Sequence, residues 1–211
     1  ALAKYTAEQE ITDKRKWGRY CGRKIIGPNS NKIVILSLYA PVISQKPGSM
    51  WSRQLTGMQG IPVAKRGRDP LDQCLKDIGE VIGDLQGQGY KIIVMGDMNV
   101  NILKDDNKRK MMYTWASKLG LLNPYIEACG GQGQEIQQEQ ITYTWIKGKG
   151  DKKQQSIIDY FWVTGSLISN GIVKATAIST EQLAHSDHRP VLLQLDAGRM
   201  LGINKNADAD M

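Results

Sequence analysis

Acidic, amide and imidazole side chains, the groups that hydrolytic sites use, stand beside two aliphatic runs of this sequence. Asp97 and Asn99 come directly after one run, and Asp187 and His188 come shortly before another. A carboxylate and an amide at the end of a buried strand can project into the crevice at the edge of an α/β sheet. An adjacent Asp and His can bind a metal ion or orient water beside a phosphate. Each pattern alone also fits an ordinary turn or surface loop, because Gly, Asp and Asn are common turn formers.

A third carboxylate, Asp159, interrupts an apolar segment that runs from Ile157 to Trp162. Burying an unpaired carboxylate is costly, so an Asp inside a strand needs a partner. We predict that Asp159 hydrogen-bonds to His188, which would fix the tautomer of the ring and favour its protonated form. The alternative is an edge-strand Asp that faces water. Tyr39 ends a further aliphatic run, so that all these groups stand at strand ends.

Short strands and two amphipathic helices must position these side chains. The turn-forming residues 27–31 separate two β-branched runs and predict a hairpin. Apolar residues recur at intervals of three and four over 71–85, which predicts one face of a helix. This order of elements indicates α/β layers. The predicted strands cover 19–26, 32–40, 91–95, 141–146, 156–163, 172–178 and 191–195, the helices 50–57, 71–85 and 108–119, and the loops 41–70 and 130–140.

The formal net charge of the 211-residue chain is +7, and this charge is unevenly distributed. Residues 1–72 contain 13 Lys and Arg against 5 Asp and Glu, whereas the remainder is close to neutral. Such a segment favours a surface that binds polyanions, although a solubilising face has the same composition. Lys65, Arg66 and Arg68 cluster in the long loop, and we expect them to contact DNA phosphates.

Three widely spaced cysteines argue against a disulfide framework and against a structural zinc site. His185 and His188 alone do not complete a zinc shell, because no Cys or further His stands near them. No apolar run approaches the length that spans a bilayer, so we expect no membrane partner. The composition predicts a reduced, intracellular, globular chain.

Four motifs, in this order along the chain, resemble those of the endonuclease/exonuclease/phosphatase superfamily, the metal-dependent phosphoesterases. These motifs are Tyr39-Ala40-Pro41, Gly96-Asp97-Met98-Asn99, Ile157-Ile158-Asp159 and Ser186-Asp187-His188. Further segments, Gly18-Arg19-Tyr20-Cys21-Gly22 and Ser49-Met50-Trp51-Ser52-Arg53-Gln54, are similar to the endonuclease domains of non-LTR (LINE-type) retrotransposons, which nick target DNA. The resemblance implies an α/β fold, a four-layer sandwich of two packed mixed β-sheets flanked by helices.

The resemblance also implies a role for each matching residue in the attack of water on a phosphodiester. Asp97 would orient or deprotonate the water, and Asn99 would hold the water or a phosphate oxygen. His188, paired with Asp159, would donate to the phosphate as negative charge builds. Tyr39 would hydrogen-bond to the phosphate or, as a phenolate near the metal, assist the leaving group.

A divalent metal, Mg²⁺ or Mn²⁺, is implied as the cofactor, with Asp187 contributing to its site. The family's domain begins with a strand, a helix and a strand that contribute an Asn and a metal-binding Glu. Nothing before Trp17 resembles that segment, and Glu8 and Glu10 lie in a polar stretch. We therefore predict the C-terminal two-thirds of the domain, with the first strands missing. Residues 1–17 would be a polar tail, 18–197 the domain and 198–211 a mobile tail.

Three functions remain open on this reading. A DNA endonuclease of the retrotransposon type agrees with the basic segment, and would act in the nucleus as a monomer or as part of a polyprotein. A phosphatase or lipid phosphodiesterase of the same superfamily has the same motifs, which fix phosphoester chemistry and leave the substrate open. A non-catalytic remnant that still binds DNA is the third. Val42 stands where abasic endonucleases have an Asn, so an abasic-site preference is not predicted.

Overall fold

The computed structural model describes residues 6–27, 30–130, 142–148, 152–181 and 185–202, with the backbone alone for residues 6–9. The strands are β1 (Thr6–Thr12), β2 (Tyr20–Ile26), β3 (Lys32–Tyr39), β4 (Lys91–Asp97), β5 (Leu121–Leu122), β6 (Trp145–Lys147), β7 (Gln154–Ser156), β8 (Asp159–Thr164), β9 (Val173–Ile178) and β10 (Val191–Leu195). The helices are α1 (Met50–Gly57), α2 (Pro70–Gly87), α3 (Asn107–Lys118), α4 (Pro124–Ala128), α5 (Gly165–Ser169) and α6 (Ala197–Leu201). No helix in these segments is long and apolar enough to cross a bilayer.

A six-stranded mixed sheet in the order β1-β2-β3-β4-β8-β5 forms the centre of the molecule. β3 and β4 are parallel, and the other neighbouring pairs are antiparallel. The connection from β3 to β4 contains the long loop, α1 and α2, because parallel neighbours need a crossover. β9 and β10 form a separate antiparallel pair, and β6 and β7 form another.

The apolar residues of the central strands alternate between the two faces of this sheet, since successive side chains of a strand point in opposite directions. Val34 and Ile92 belong to the larger core, which includes the apolar residues of α2 and α3. Ile33 and Ile93 belong to a second core, together with residues of α5, α6, β9 and β10. The sheet is therefore covered on both faces, which explains why its central strands are almost continuously apolar.

The predicted α/β fold class is confirmed, and several predicted elements have different bounds. The predicted strand 156–163 is divided between two strands, because the strand conformation is interrupted at residues 157–158. β7 ends before these residues and β8 begins after them. The predicted strand 141–146 is shorter, covering Trp145–Lys147. Almost all of the predicted loop 130–140 lies outside the described residues.

The expectation that residues 1–17 form a polar tail is wrong for residues 6–12. These residues form β1, which pairs antiparallel with β2 from Thr6 opposite Ile26 to Thr12 opposite Cys21. The expectation of mobility from residue 198 is wrong for the end of α6, where Met200 and Leu201 are buried in the second core. Residues 203–211 lie outside the described residues.

A buried ion network holds the β1–β2 connection against α2. The Arg19 guanidinium is fully buried and donates to Asp13 at 2.7 and 2.8 Å and to Asp77 at 2.8 Å. Arg15 donates to both carboxylate oxygens of Asp77, at 2.6 Å to Oδ2 and 2.9 Å to Oδ1. Burial would raise the pKa of Asp77, but these hydrogen bonds outweigh it and hold the pKa below its usual value. The Arg19 carbonyl accepts from the Tyr39 N–H at 2.7 Å, so the network supports the end of β3.

Candidate active site

Three of the predicted site residues lie side by side across adjacent strands. Tyr39 is opposite Asp97 in the β3–β4 pairing, and Asp97 is opposite Asp159 in the β4–β8 pairing. Neighbouring strands are about 4.8 Å apart, so the three residues form one short row at an end of the sheet. We call these residues the active-site row.

The chain turns sharply after β4, which keeps Asn99 next to Asp97 at the end of the strand. Gly96 has φ +140°, and a Cβ there would clash with the Leu38 carbonyl oxygen, so only glycine fits this position. Asn99 has φ +48°, and its backbone N–H donates to Asp97 Oδ1 at 2.9 Å. Its side-chain amide donates to the Ala40 carbonyl at 2.8 Å, which ties this loop to the end of β3.

His188 joins the active-site row from the loop before β10. Its Nδ1 lies 2.8 Å from Asp159 Oδ2, and its backbone N–H donates to Ser186 Oγ at 3.0 Å. The hydrogen bond between Asp159 and His188 that the sequence predicted is therefore present. The Asp159 side chain is 19% exposed and that of His188 is 33% exposed, so both are accessible from the sheet edge.

Thr144, directly before β6, fixes the loop that carries His188, and no sequence motif predicts this. Thr144 is fully buried, and its hydroxyl accepts from the N–H groups of Ile158 and Asp159 at 2.9 and 3.1 Å. Its carbonyl accepts from the Arg189 N–H at 2.6 Å. Thr144 therefore connects the start of β8 to the loop before β10. A threonine between aromatic residues is common in strands, so its type and position do not reveal this role.

Asp187 lies beside the row and not in it. Its Oδ2 accepts from Trp145 Nε1 at 3.0 Å, and its Oδ1 is 3.9 Å from His188 Nε2. The side chain is 51% exposed. Asp187 is thus free to contact a bound group through one oxygen, at the open side of the site.

The charges of the site are coupled. Burial raises the pKa of Asp97 above its usual value, and the nearby Asp159 carboxylate adds to this, against the opposing hydrogen bond from Asn99. Burial would lower the pKa of His188, but the hydrogen bond from Asp159 outweighs it, so that the net shift is upward. The site therefore favours the protonated imidazole of His188.

Asp97, Asp159 and His188 place one ligand atom each within 4.8 Å of one another, and this group is suited in part to a divalent cation. Hard cations such as Mg²⁺ prefer carboxylate oxygens, which Asp97 and Asp159 supply. Glu10 does not add to this group, because it is opposite Arg23 on β2, and Arg23 is opposite Ile35, four residues before Tyr39.

The predicted DNA-contacting residues lie at the same end of the sheet as the active-site row. Only residues 88–90 connect α2 to β4, so the start of α2 lies where β4 ends. Lys65 and Arg68 are exposed there. Arg66 differs from the expectation of a free side chain, because its guanidinium donates to the Ile61 carbonyl at 3.0 and 3.1 Å. That arginine helps to shape the loop.

No protein-family model matches the sequence, and no curated protein matches it. Among solved structures, the endonuclease domain of TRAS1, a telomere-specific non-LTR retrotransposon, is 16% identical with a TM-score of 0.56, over 89% of this chain and 68% of that one. The 3′ phosphatase NExo from Neisseria, bound to a product DNA hairpin, is 13% identical with a TM-score of 0.61, over 92% and 73%. An endonuclease/exonuclease/phosphatase family protein from Leptotrichia buccalis is 15% identical with a TM-score of 0.54, over 92% and 61%.

At these identities the similarity establishes the fold. The chain has the fold that these three structures share, one of them a retrotransposon endonuclease domain and one described as an endonuclease/exonuclease/phosphatase family protein, which is the fold that the four motifs predicted. It spans between 61% and 73% of the length of the three matched chains.

Proposed function

We propose that this chain, with the fold of the endonuclease/exonuclease/phosphatase superfamily, belongs to a metal-dependent phosphodiesterase that cuts DNA. The observation that carries the proposal is the active-site row, with His188 held on Asp159 at 2.8 Å and Asp97 beside it. A general acid and a carboxylate base on one accessible sheet edge are what hydrolysis of a phosphodiester needs.

The side chains divide the proton transfers of the reaction between them. Asp97 orients the attacking water and accepts its proton, for which a pKa raised by burial makes it a better base. Asn99 fixes Asp97 through its backbone N–H. His188 donates a proton or hydrogen bond to the phosphate as charge builds, and Asp159 stabilises the imidazolium. Tyr39, 42% exposed, is positioned to hydrogen-bond to a phosphate oxygen.

A divalent cation would be held at the open side of the site by the exposed Asp187 carboxylate, beside the group formed by Asp97, Asp159 and His188. Bound there, Mg²⁺ or Mn²⁺ would neutralise the phosphate oxygens. The described carboxylates are fewer than the six or so oxygens that such ions bind, and the missing ones would come from water, substrate or a preceding segment. The outer face of β10 supports the last source: Val191, Leu193 and Leu195 pack against the second core, whereas Leu192 points away from it and is 58% exposed. Further strands from a preceding segment would cover it.

Positive side chains would hold the DNA at this end of the molecule. Lys65 and Arg68 are exposed near the active-site row and would contact backbone phosphates. Arg66 would act by holding the loop through Ile61, rather than by touching DNA. An enzyme of the retrotransposon type would meet this substrate in the nucleus.

Nicking of supercoiled plasmid tests the proposal. The chain is compared with a version that also carries the residues encoded before Ala1, each with Mg²⁺, with Mn²⁺ and with EDTA. We expect metal-dependent conversion to the open circle, with more activity in the extended version if preceding strands supply metal ligands. Intact plasmid in both versions with both metals would contradict the proposed function.

One observation favours a second function, a phosphomonoesterase that acts on DNA ends. The NExo structure, whose TM-score is 0.61, is described as a 3′ phosphatase bound to DNA. An oligonucleotide with a 3′-phosphate, incubated beside the plasmid under the same conditions, separates the two. Phosphate release without nicking would assign the site to end processing.

A further inference from the structure

A second strongly basic feature lies outside the active-site row, in a groove of about 740 Å³ between α2 and α3. Its lining includes five cationic side chains and only two acidic ones. The cationic residues are Arg68, Lys76, Lys108, Lys110 and Lys118. The acidic ones are Asp69, which caps α2, and Asp72. We call this the α2–α3 groove.

The α2–α3 groove begins at the end of the molecule that carries the active-site row. α2 starts there, and the loop after Asp97 leads directly to the start of α3. α3 then ends at the opposite end, since Leu121 pairs with Thr164 at the far end of β8. Both helices therefore run away from the site. Lys108 and Lys118 are ten residues apart on α3, which corresponds to about 15 Å along its axis.

Two of these five cations are not neutralised by protein carboxylates. Asp72 lies 3.4 Å from Arg68 and 4.0 Å from Lys76, whose ammonium also donates to the Arg66 carbonyl at 3.0 Å, and Asp105 lies 3.5 Å from Lys110. Lys108 and Lys118, by contrast, have no carboxylate within 4 Å in the described part of the chain. Two unpaired lysines along a concave surface attract a ligand that carries regularly spaced negative charge.

We infer that the α2–α3 groove binds the sugar–phosphate backbone of a single nucleic-acid strand, an inference that rests on the proposed action on DNA. The groove, of about 740 Å³ between two helices, has room for a short stretch of one strand, whereas a duplex is too wide to enter it. The groove offers no exposed aromatic face, because Trp115 is 9% exposed. Bases would therefore not stack there, and recognition would be of phosphates and independent of sequence.

Titration of a fluorescent 20-nucleotide oligothymidylate in EDTA, followed by anisotropy at several salt concentrations, tests this inference. The groove variant carries Lys108→Ala and Lys118→Ala, the two unpaired lysines of the groove. The control variant carries Lys32→Ala and Lys91→Ala, at the starts of β3 and β4 and so at the other end of the sheet, and has the same net charge. Since no metal is present, the result is independent of whether the protein hydrolyses DNA.

We expect the groove variant to lose about 1.4 units from the slope of log K against log salt, at roughly 0.7 per single-strand phosphate contact. Between 50 and 200 mM salt, this removes about a 7-fold change in affinity. The control variant should keep the slope of the original protein, and oligodeoxyadenylate should give the same values. Equal slopes in the two variants would mean that net charge alone governs binding, and would overturn the inference.

Photo-crosslinking with 4-thiothymidine locates the strand by a separate readout. We expect crosslinked peptides from residues 68–79 and 107–119 in the original protein and fewer of them in the groove variant. Crosslinks confined to other segments would also overturn the inference.

Discussion

Replacing Asp159 with Asn removes the negative charge that holds His188 protonated, while the shape of the side chain is kept. The 2.8 Å hydrogen bond joins a carboxylate to an imidazolium, and such charged hydrogen bonds contribute about 1.5–3 kcal/mol. With the two side chains 19% and 33% exposed, solvent screening reduces this to about 1 kcal/mol. The pKa of His188 should therefore fall in Asp159→Asn, because the protonated ring loses about 1 kcal/mol of stabilisation relative to the neutral ring.

The direction of the change follows from the two opposing causes. In the original protein the Asp159 hydrogen bond raises the pKa of His188, and burial lowers it. Without the Asp159 charge, burial is the main influence on the pKa of His188, and burial lowers that pKa. The raised pKa also means that the pair stabilises the fold below pH 6.5 and that this stabilisation is lost as pH rises through the folded-state pKa. The difference in unfolding free energy between the two proteins should therefore be larger at pH 5.5 than at pH 9.

An NMR titration of the imidazole carbon-bound protons measures this pKa directly. The chain has two histidines, and His185→Gln in both proteins leaves the signals of His188 alone. Asp187→Asn is the matched control, because that carboxylate is 3.9 Å from the ring and 51% exposed, so a smaller change is expected. An unchanged pKa of His188 in Asp159→Asn, or a larger change in Asp187→Asn, would refute the assigned pairing.

Three further changes test the support of the site. Gly96→Ala should destabilise the protein by at least about 2 kcal/mol in urea unfolding, because φ is +140° and the Leu38 carbonyl occupies the space of a Cβ. The control is Gly83→Ala on α2, which has open space around it and should stabilise the protein by about 0.5–1 kcal/mol. Asp77→Ala should cost about 3–5 kcal/mol in the same measurement, since the fully buried Arg19 loses a partner, whereas the exposed Asp84→Ala should change stability by less than about 0.5 kcal/mol. Asp97→Asn should raise the free energy of unfolding at pH 7, because burial opposes ionisation of this carboxyl. The gain should vanish at pH 3, where Asp97 is protonated in both the folded and unfolded states. A gain that persists at pH 3 would contradict this explanation.

Local patterns predicted the elements that carry the site. The turn formers at 27–31 separate β2 from β3, and α1 covers Met50–Gly57 as expected. The partner of Asp159 was also predictable, because a carboxylate inside an apolar strand needs one and His188 was available. These features depend on residue type and spacing within short segments, which the sequence states directly.

Features that depend on long-range contact were not predictable in the same way. β1 has a largely polar sequence in which only Ala7 and Ile11 are apolar. It forms a strand because the edge of β2 is available to pair with it. Arg19 looks like a surface residue, yet it is fully buried because Asp13 and Asp77 meet it from two other segments. Thr144 carries no motif, and its role arises from the approach of β8 and the loop before β10.

The central claim is that Asp97 and His188 act together at one phosphodiesterase site. The most direct test is the initial rate of plasmid nicking by whichever form of the protein nicks, compared with Asp97→Ala, His188→Ala and, as a control far from the site, Lys174→Ala. We expect Asp97→Ala and His188→Ala each to lose about 10²–10⁴-fold, as is usual when a general acid or base is removed, and Lys174→Ala to retain the original rate. Nicking at the original rate by either Asp97→Ala or His188→Ala would contradict the claim.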